Sequence, residues 1–196
     1  MNTVFVDIDT QFDFMDPCGN LYVPGAEDIV DNVKKLFDYA QEHKIKILSS
    51  IDAHTVDDPE FNLFPAHCVK GTPGNQKIEA STCNDNITIE NREQEITESI
   101  MDHDQIIVES QTFDIFESTN TDKIVKKLDV QNFVVFGVAT DYCVKAAVLG
   151  LLKRGYNVSL VTDATKSITK EGNEKSLSEM KDAGAVFSTT ENVITG

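Results

Sequence analysis

A cysteine, a carboxylate and two histidines occupy places where a chain could put reactive groups. In FGVATDYCVKAAVLGLLKRG, Val134 to Phe136 read as a short buried strand, and Val144, Val148 and Leu151/Leu152 recur at helical spacing. Cys143 therefore falls in the first turn of a helix, where unpaired N–H groups and the positive end of the dipole favour a thiolate. A small buried apolar thiol is the competing reading. Asp9, in VDIDTQFDF, ends a strand and could form a turn, or take a thiol proton as a desolvated carboxylate. Asp7 shares its strand face. In IDAHTVDDPEFNLFPAHCVKGTPG, Asp52 and His54 directly follow a strand and His67 lies further along the same loop. That pattern suits a three-ligand metal site with open positions, against the alternative of hydrogen-bonded or surface histidines.

The elements that must position these groups alternate. Strands are expected at Thr3–Ile8, Ile45–Ile51, Gln105–Glu109, Asn132–Gly137, Tyr156–Thr162 and near Val186. Helices are expected at Ala26–His43, Glu93–Asp102, Thr121–Leu128, from Asp141 onward, and at Asn173–Ala183, with a long irregular region over Asp52–Glu90. Such alternation implies right-handed crossovers and a three-layer αβα architecture with a mostly parallel central sheet. Ligands of these sheets lie beyond the carboxyl ends of the strands. Asp9, Asp52 with His54, Ser110, the Val138–Cys143 turn and Asp163 are the residues to expect there.

The 196 residues are read as one domain spanning 1–196, long enough for a full core and a cleft. A formal charge of -16 argues against nucleic acid as a partner and disfavours highly anionic substrates. No apolar run is long enough to span a bilayer, so no membrane partner is expected. The opening MNTVFVDID lacks the form of a signal peptide, and a cytoplasmic location is expected. The four cysteines show no CxxC pairing, which favours reduced thiols with one reactive member. Dinucleotide-loop, P-loop and GxSxG signals are absent.

Taken in order, VDIDTQFDF, SSIDAHTVDDPEF with FPAHCVKGTPG, QTFDIF, and GVATDYCV with GYNVSLVTDA resemble the nicotinamidase branch of the isochorismatase-like cysteine hydrolases. The resemblance runs from Thr3 to about Thr165 and implies the isochorismatase-like hydrolase fold. It implies Cys143 as nucleophile, Asp9 as general base, and a cis Val138–Ala139 peptide that lets the Ala139 and Cys143 N–H groups form an oxyanion hole. It further implies Asp52, His54 and His67 as ligands of one divalent metal ion, with Glu60 a weaker fourth. Zinc is the first expectation, iron or manganese the alternatives. Phe14, Phe64, Val138 and Tyr142 would line the substrate site. The activity implied is hydrolysis of nicotinamide, or a similar small aromatic carboxamide, through a thioester. Assembly as a homo-oligomer is a further analogy.

One position departs from the resemblance. The family's triad lysine falls on Ser110, in IIVESQTFDIF, and serine carries no charge. Another cation could serve, with Lys70 and Lys145 as candidates, while Glu109 adds negative charge. Otherwise the chain binds ligand with little turnover, or Ser110 is an introduced change that traps a complex. A hydrolase of another small amide or carbamoyl substrate, and a binding protein on the same fold, are the rival readings. Isochorismate hydrolysis fits less well, because that branch does not need the metal set.

Overall fold

The computed structural model describes residues 3–196; Met1 and Asn2, part of the expected domain span, lie outside the described residues. Seven strands form one sheet in the order β3-β4-β2-β1-β5-β6-β7, and every neighbouring pair is parallel. The strands are β1 (Thr3–Ile8), β2 (Ile47–Asp52), β3 (Asn86–Ile89), β4 (Gln105–Ser110), β5 (Asn132–Val138), β6 (Asn157–Lys166) and β7 (Val186–Ser188). The helices are α1 (Phe12–Met15), α2 (Val30–Glu42), α3 (Glu98–Asp102), α4 (Thr121–Lys127), α5 (Lys145–Lys153), α6 (Lys170–Asp182) and α7 (Thr190–Thr195). None is long and apolar enough to cross a membrane.

A parallel sheet must be covered on both faces, and the side-chain alternation of β1 shows how. Val4, Val6 and Ile8 point into a core shared with Ile124 of α4, Ala147, Val148 and Leu151 of α5, and Met180 of α6. Phe5 points the other way, into a core with Val33, Leu36, Phe37 and Ala40 of α2. Most turns back into the sheet use one device. α2, α4, α5 and α6 are followed by exposed residues with left-handed backbone, Lys44 (φ 54°), Asp129 (φ 50°), Gly155 (φ 85°) and Gly184 (φ 108°), which close the helix ends before β2, β5, β6 and β7.

Several boundaries differ from the sequence expectation. β2 starts at Ile47 because Ile45 donates its N–H to Ala40 (2.8 Å) and so completes the end of α2. Only the last turn of the helix expected over Glu93–Asp102 forms. The carbonyls of Glu90 and Arg92 are taken by the Asn120 side chain and that of Gln94 by Lys123, which replaces helical bonding there. The short edge strand β3 lies inside the region expected to be irregular, and α7 was not expected. β6 runs past Thr162 to Lys166 through a shift of register against β5. Asp163 therefore lies within a strand, where its carboxylate accepts from the N–H (2.7 Å) and hydroxyl (3.0 Å) of Thr190. Its work is to hold α7.

The sheet order reverses between β1 and β5, the place where open α/β sheets form a crevice. Gly137, in β5, makes that contact close. Its φ is 115°, and a Cβ there would stand 2.1 Å from the Ile8 carbonyl oxygen. Gly137→Ala should lower the unfolding free energy by about 2–4 kcal/mol, from a strained backbone plus a forced separation of β1 and β5. A urea titration showing a lower midpoint at unchanged slope would meet that expectation; an unshifted midpoint would refute it.

Candidate active site and metal centre

The chain leaves β1 through Asp9, whose left-handed backbone (φ 49°) turns its carboxylate off the strand line. Ser50 holds it, accepting from the Asp9 N–H (3.2 Å) and donating to its Oδ1 (2.5 Å). On the neighbouring strand β5, Val138–Ala139 is a cis peptide, and a π-helical turn over Thr140–Val144 carries Cys143 before α5 begins. The Asp9 carboxylate and the Cys143 thiol act on each other's proton. Burial, with the Asp52 charge second, raises the Asp9 pKa to about 7, against the lowering effects of Ser50, Cys143 and Lys77. Burial, then the charges of Asp9 and Asp52, pushes the Cys143 thiol well above its ordinary value, although Ala139 backbone bonding works the other way. Of the two readings of the helix-start cysteine, this direction favours the buried thiol over the thiolate, because desolvation and two carboxylates outweigh the dipole. Both shifts favour the protonated forms of the two groups.

Asp52, at the end of β2, meets His54 and His67 at its Oδ2, 3.7 Å and 3.6 Å from their Nε2 atoms, and Glu60 Oε2 lies 4.0 Å from His54 Nε2. The far ring nitrogens are committed. His54 Nδ1 donates to Asp58 (3.0 Å) and His67 Nδ1 to the Pro65 carbonyl (2.8 Å), which leaves both Nε2 atoms aimed inward. Asp52 Oδ1 and His54 Nε2 are buried with no hydrogen-bond partner. Orphaned buried polar atoms of this kind, on carboxylate and imidazole, fit a divalent cation. Burial alone would lower the His54 pKa, but Asp52, Asp58 and Glu60 outweigh it and raise it to about 9.

Two residues that the sequence reading passed over hold this arrangement. The Gln11 amide imitates a strand: its Oε1 accepts from Asp52 N–H (2.7 Å) and its Nε2 donates to the carbonyls of Asp52 (2.8 Å) and Asn75 (2.9 Å). Asp13 accepts from Cys68 N–H (2.7 Å) and Asn20 N–H (2.9 Å), bracing the loop behind His67, where Cys68 is left-handed (φ 45°). Both side chains are buried, which no local feature of TQFDF signals.

Ser110 sits at the end of β4, where the expected cation would stand, but its hydroxyl turns to its own loop, donating to Thr112 O (2.8 Å) and accepting from Thr112 N–H (3.2 Å). Neither expected substitute replaces it. Lys70 pairs with Glu109 (2.5 Å), which offsets that acid, and Lys145 pairs with Glu179 (3.3 Å). The lysine whose charge acts on Asp9 is Lys77, buried against Asp7 (2.6 Å) and Thr10 (2.9 Å).

Cys143, Ala139, Asp52, Glu60 and His67 open on one cavity of about 140 Å³. Phe14, Phe64, Val138 and Tyr142, all anticipated, line it, and Leu21, Val23, Phe113 and Ile168 join them. Phe14 packs on His67 with ring centroids 5.6 Å apart. The other thiols lie elsewhere: Cys18 is exposed, Cys68 and Cys83 are buried, and all four are free.

The isochorismatase domain model matches residues 3–192. The chain belongs to the isochorismatase family. It is 26% identical over 193 residues to a probable inactive nicotinamidase of Arabidopsis thaliana, covering 93% of this chain and 90% of that one. It is 26% identical over 206 residues to the nicotinamidase of Saccharomyces cerevisiae, covering 87% and 90%. The zinc complex of Pyrococcus horikoshii pyrazinamidase superposes with a TM-score of 0.80 at 29% identity, covering 96% of this chain and 99% of that one. The isochorismatase-like fold and the kinship with hydrolases follow.

Two outcomes are expected of this site. Lys77→Met should cost about 3–5 kcal/mol by stranding the buried Asp7, and pairing it with Asp7→Asn should recover much of the loss; equal midpoints for single and double variants would refute this. Protons compete with metal for His54, whose pKa of about 9 lies above neutrality. Zinc affinity should therefore rise by about tenfold per pH unit between roughly pH 6 and 8 for each proton displaced, read by competition with a chelating dye. A flat profile would show that His54 is not a ligand.

Proposed function

We propose that the protein is a metal-dependent cysteine amidohydrolase that converts a small aromatic carboxamide, nicotinamide first, to the acid and ammonia. The observation that carries this is the meeting of Cys143 with Asp52 and His67 on one aromatic-lined cavity, where Asp52 Oδ1 and the adjoining His54 Nε2 are buried without a hydrogen-bond partner, with Asp9 acting on the thiol. Asp9 takes the Cys143 proton as Sγ attacks the carboxamide carbon. The N–H groups of Ala139 and Cys143 are assigned to the developing oxyanion. Asp9 returns the proton to the departing ammonia, and water then cleaves the thioester with Asp9 again accepting a proton. A pKa of about 7 suits a group that must do both. Phe14 and Phe64 hold the ring. Asp52, His54 and His67, with Glu60, would hold a divalent metal, zinc in the first instance, which supplies a Lewis-acid anchor for the ring nitrogen.

The Ser110 geometry favours a second reading, a site that binds the carboxamide and turns it over slowly. Among the described residues no Lys or Arg lines the cavity, and Ser110 spends its hydroxyl on Thr112. One experiment addresses both: ammonia release from nicotinamide by zinc-loaded protein, beside Ser110→Lys and Cys143→Ala. Ser110→Lys should raise the rate by about 10²–10³-fold, the scale of one well-placed electrostatic group, and Cys143→Ala should abolish it. Release that survives Cys143→Ala would overturn the mechanism. No release from nicotinamide or other aromatic carboxamides by any form would overturn the amidohydrolase reading.

A further inference from the structure

The mouth of the cavity is more apolar than a single-ring substrate needs. Among the described residues the exposed large hydrophobic side chains are Val56, Leu63, Phe113, Tyr142, Ile168, Val186 and Phe187. Phe113 (59% exposed), Tyr142 (44%) and Ile168 (41%) all line this one cavity, although they come from the separate loops that follow β4, β5 and β6. Leu63, 81% exposed, adjoins Phe64 on a fourth segment. Scattered surface hydrophobics need no explanation, but a convergence of three loops on one opening does.

The rim is also built. The Asp141 carboxylate accepts from the N–H groups of Ile168 (3.0 Å) and Thr169 (3.3 Å), tying the Ile168 loop to the turn that carries Tyr142. On the opposite strand the two bonds between Ser110 Oγ and Thr112 shape the turn that presents Phe113. The residue standing at the expected cation position thus helps form the rim.

We infer that this rim selects a neutral aromatic carboxamide carrying an apolar group on the ring edge that faces the mouth. The inference rests on the amidohydrolase reading. In a pyridine-3-carboxamide, three alternating ring atoms point 120° apart. With the ring nitrogen toward Asp52, His67 and Glu60 and the carboxamide toward Cys143, position 5 is the ring edge that the inference assigns to the exposed side of the lining, Phe113, Tyr142 and Ile168. A charged substituent has no counterpart there, since among the described residues no Lys or Arg lines the cavity and its carboxylates, Asp52 and Glu60, belong to the candidate metal centre. An apolar one removes exposed rim surface from water.

The test is equilibrium binding by calorimetry to zinc-loaded Cys143→Ala protein, so that turnover does not intervene. Nicotinamide is compared with 5-phenylnicotinamide, in that protein and in one also carrying Phe113→Ser and Ile168→Ser, with thermal melts to show that both fold. The phenyl compound should bind about tenfold or more tightly than nicotinamide, and the rim substitutions should erase that ratio. Equal or weaker binding of the phenyl compound, or a preference untouched by the substitutions, overturns the inference and leaves the amidohydrolase reading standing. Failure of both compounds to bind overturns both. Sedimentation decides a further case: self-association that the rim substitutions abolish, with no ligand preference, makes the rim an interface between copies and overturns the inference.

Discussion

Everything in this site depends on how closely β5 lies against β1. Gly137 sits over the Ile8 backbone with no room for a side chain, and the residues that follow on either side are Asp9 and the Val138–Cys143 turn. The general-base candidate and the nucleophile candidate are thus brought together by main-chain pairing of two buried strands, whose positions are set by both cores. The Gln11 amide extends the same rigidity sideways by bonding the Asp52 backbone as another strand would. Loops supply chemistry here only where a strand end or a buried amide fixes them.

That burial also sets the electrostatics. Asp9 and Asp52 stand close enough for each charge to raise the pKa of Cys143, and Asp52 in turn adds to the burial that raises Asp9. A divalent ion among Asp52, His54 and His67 would relieve part of this accumulation of negative charge. Metal and thiol then belong to one charge balance even though they occupy different walls. Lys77 enters the same balance from below, its own charge already offset by Asp7.

Much of this could be read from the sequence, and the reasons are physical. The strand–helix alternation and the residues just past β1, β2, β4 and β5 were legible because hydrophobic periodicity marks strands and a parallel sheet puts its crevice at their carboxyl ends. The DxH spacing and the helix-start cysteine were legible as residue types in suggestive places. What stayed hidden depends on contacts distant in the chain. Nothing local in TQFDF says that Gln11 will grip Asp52 or Asp13 will brace Cys68. Helix propensity over Glu93–Asp102 gave no hint that Asn120 and Lys123 would claim its carbonyls. The choice between thiolate and buried thiol at Cys143 stayed open because burial by three layers is a property of the fold, whereas the dipole is a property of the turn. Phe113 and Ile168 were missed because each is only an isolated apolar residue in a loop until the loops meet.

The left-handed turns at Lys44, Asp129, Gly155 and Gly184 give the molecule two ends of different character. They gather at the amino ends of the strands, exposed and bounded by helix termini that close on themselves, with no part in the cavity. That blind end is where a tether, a label or a fused partner can be attached without crowding the mouth, so a protein anchored through it would present its site outward to the solvent.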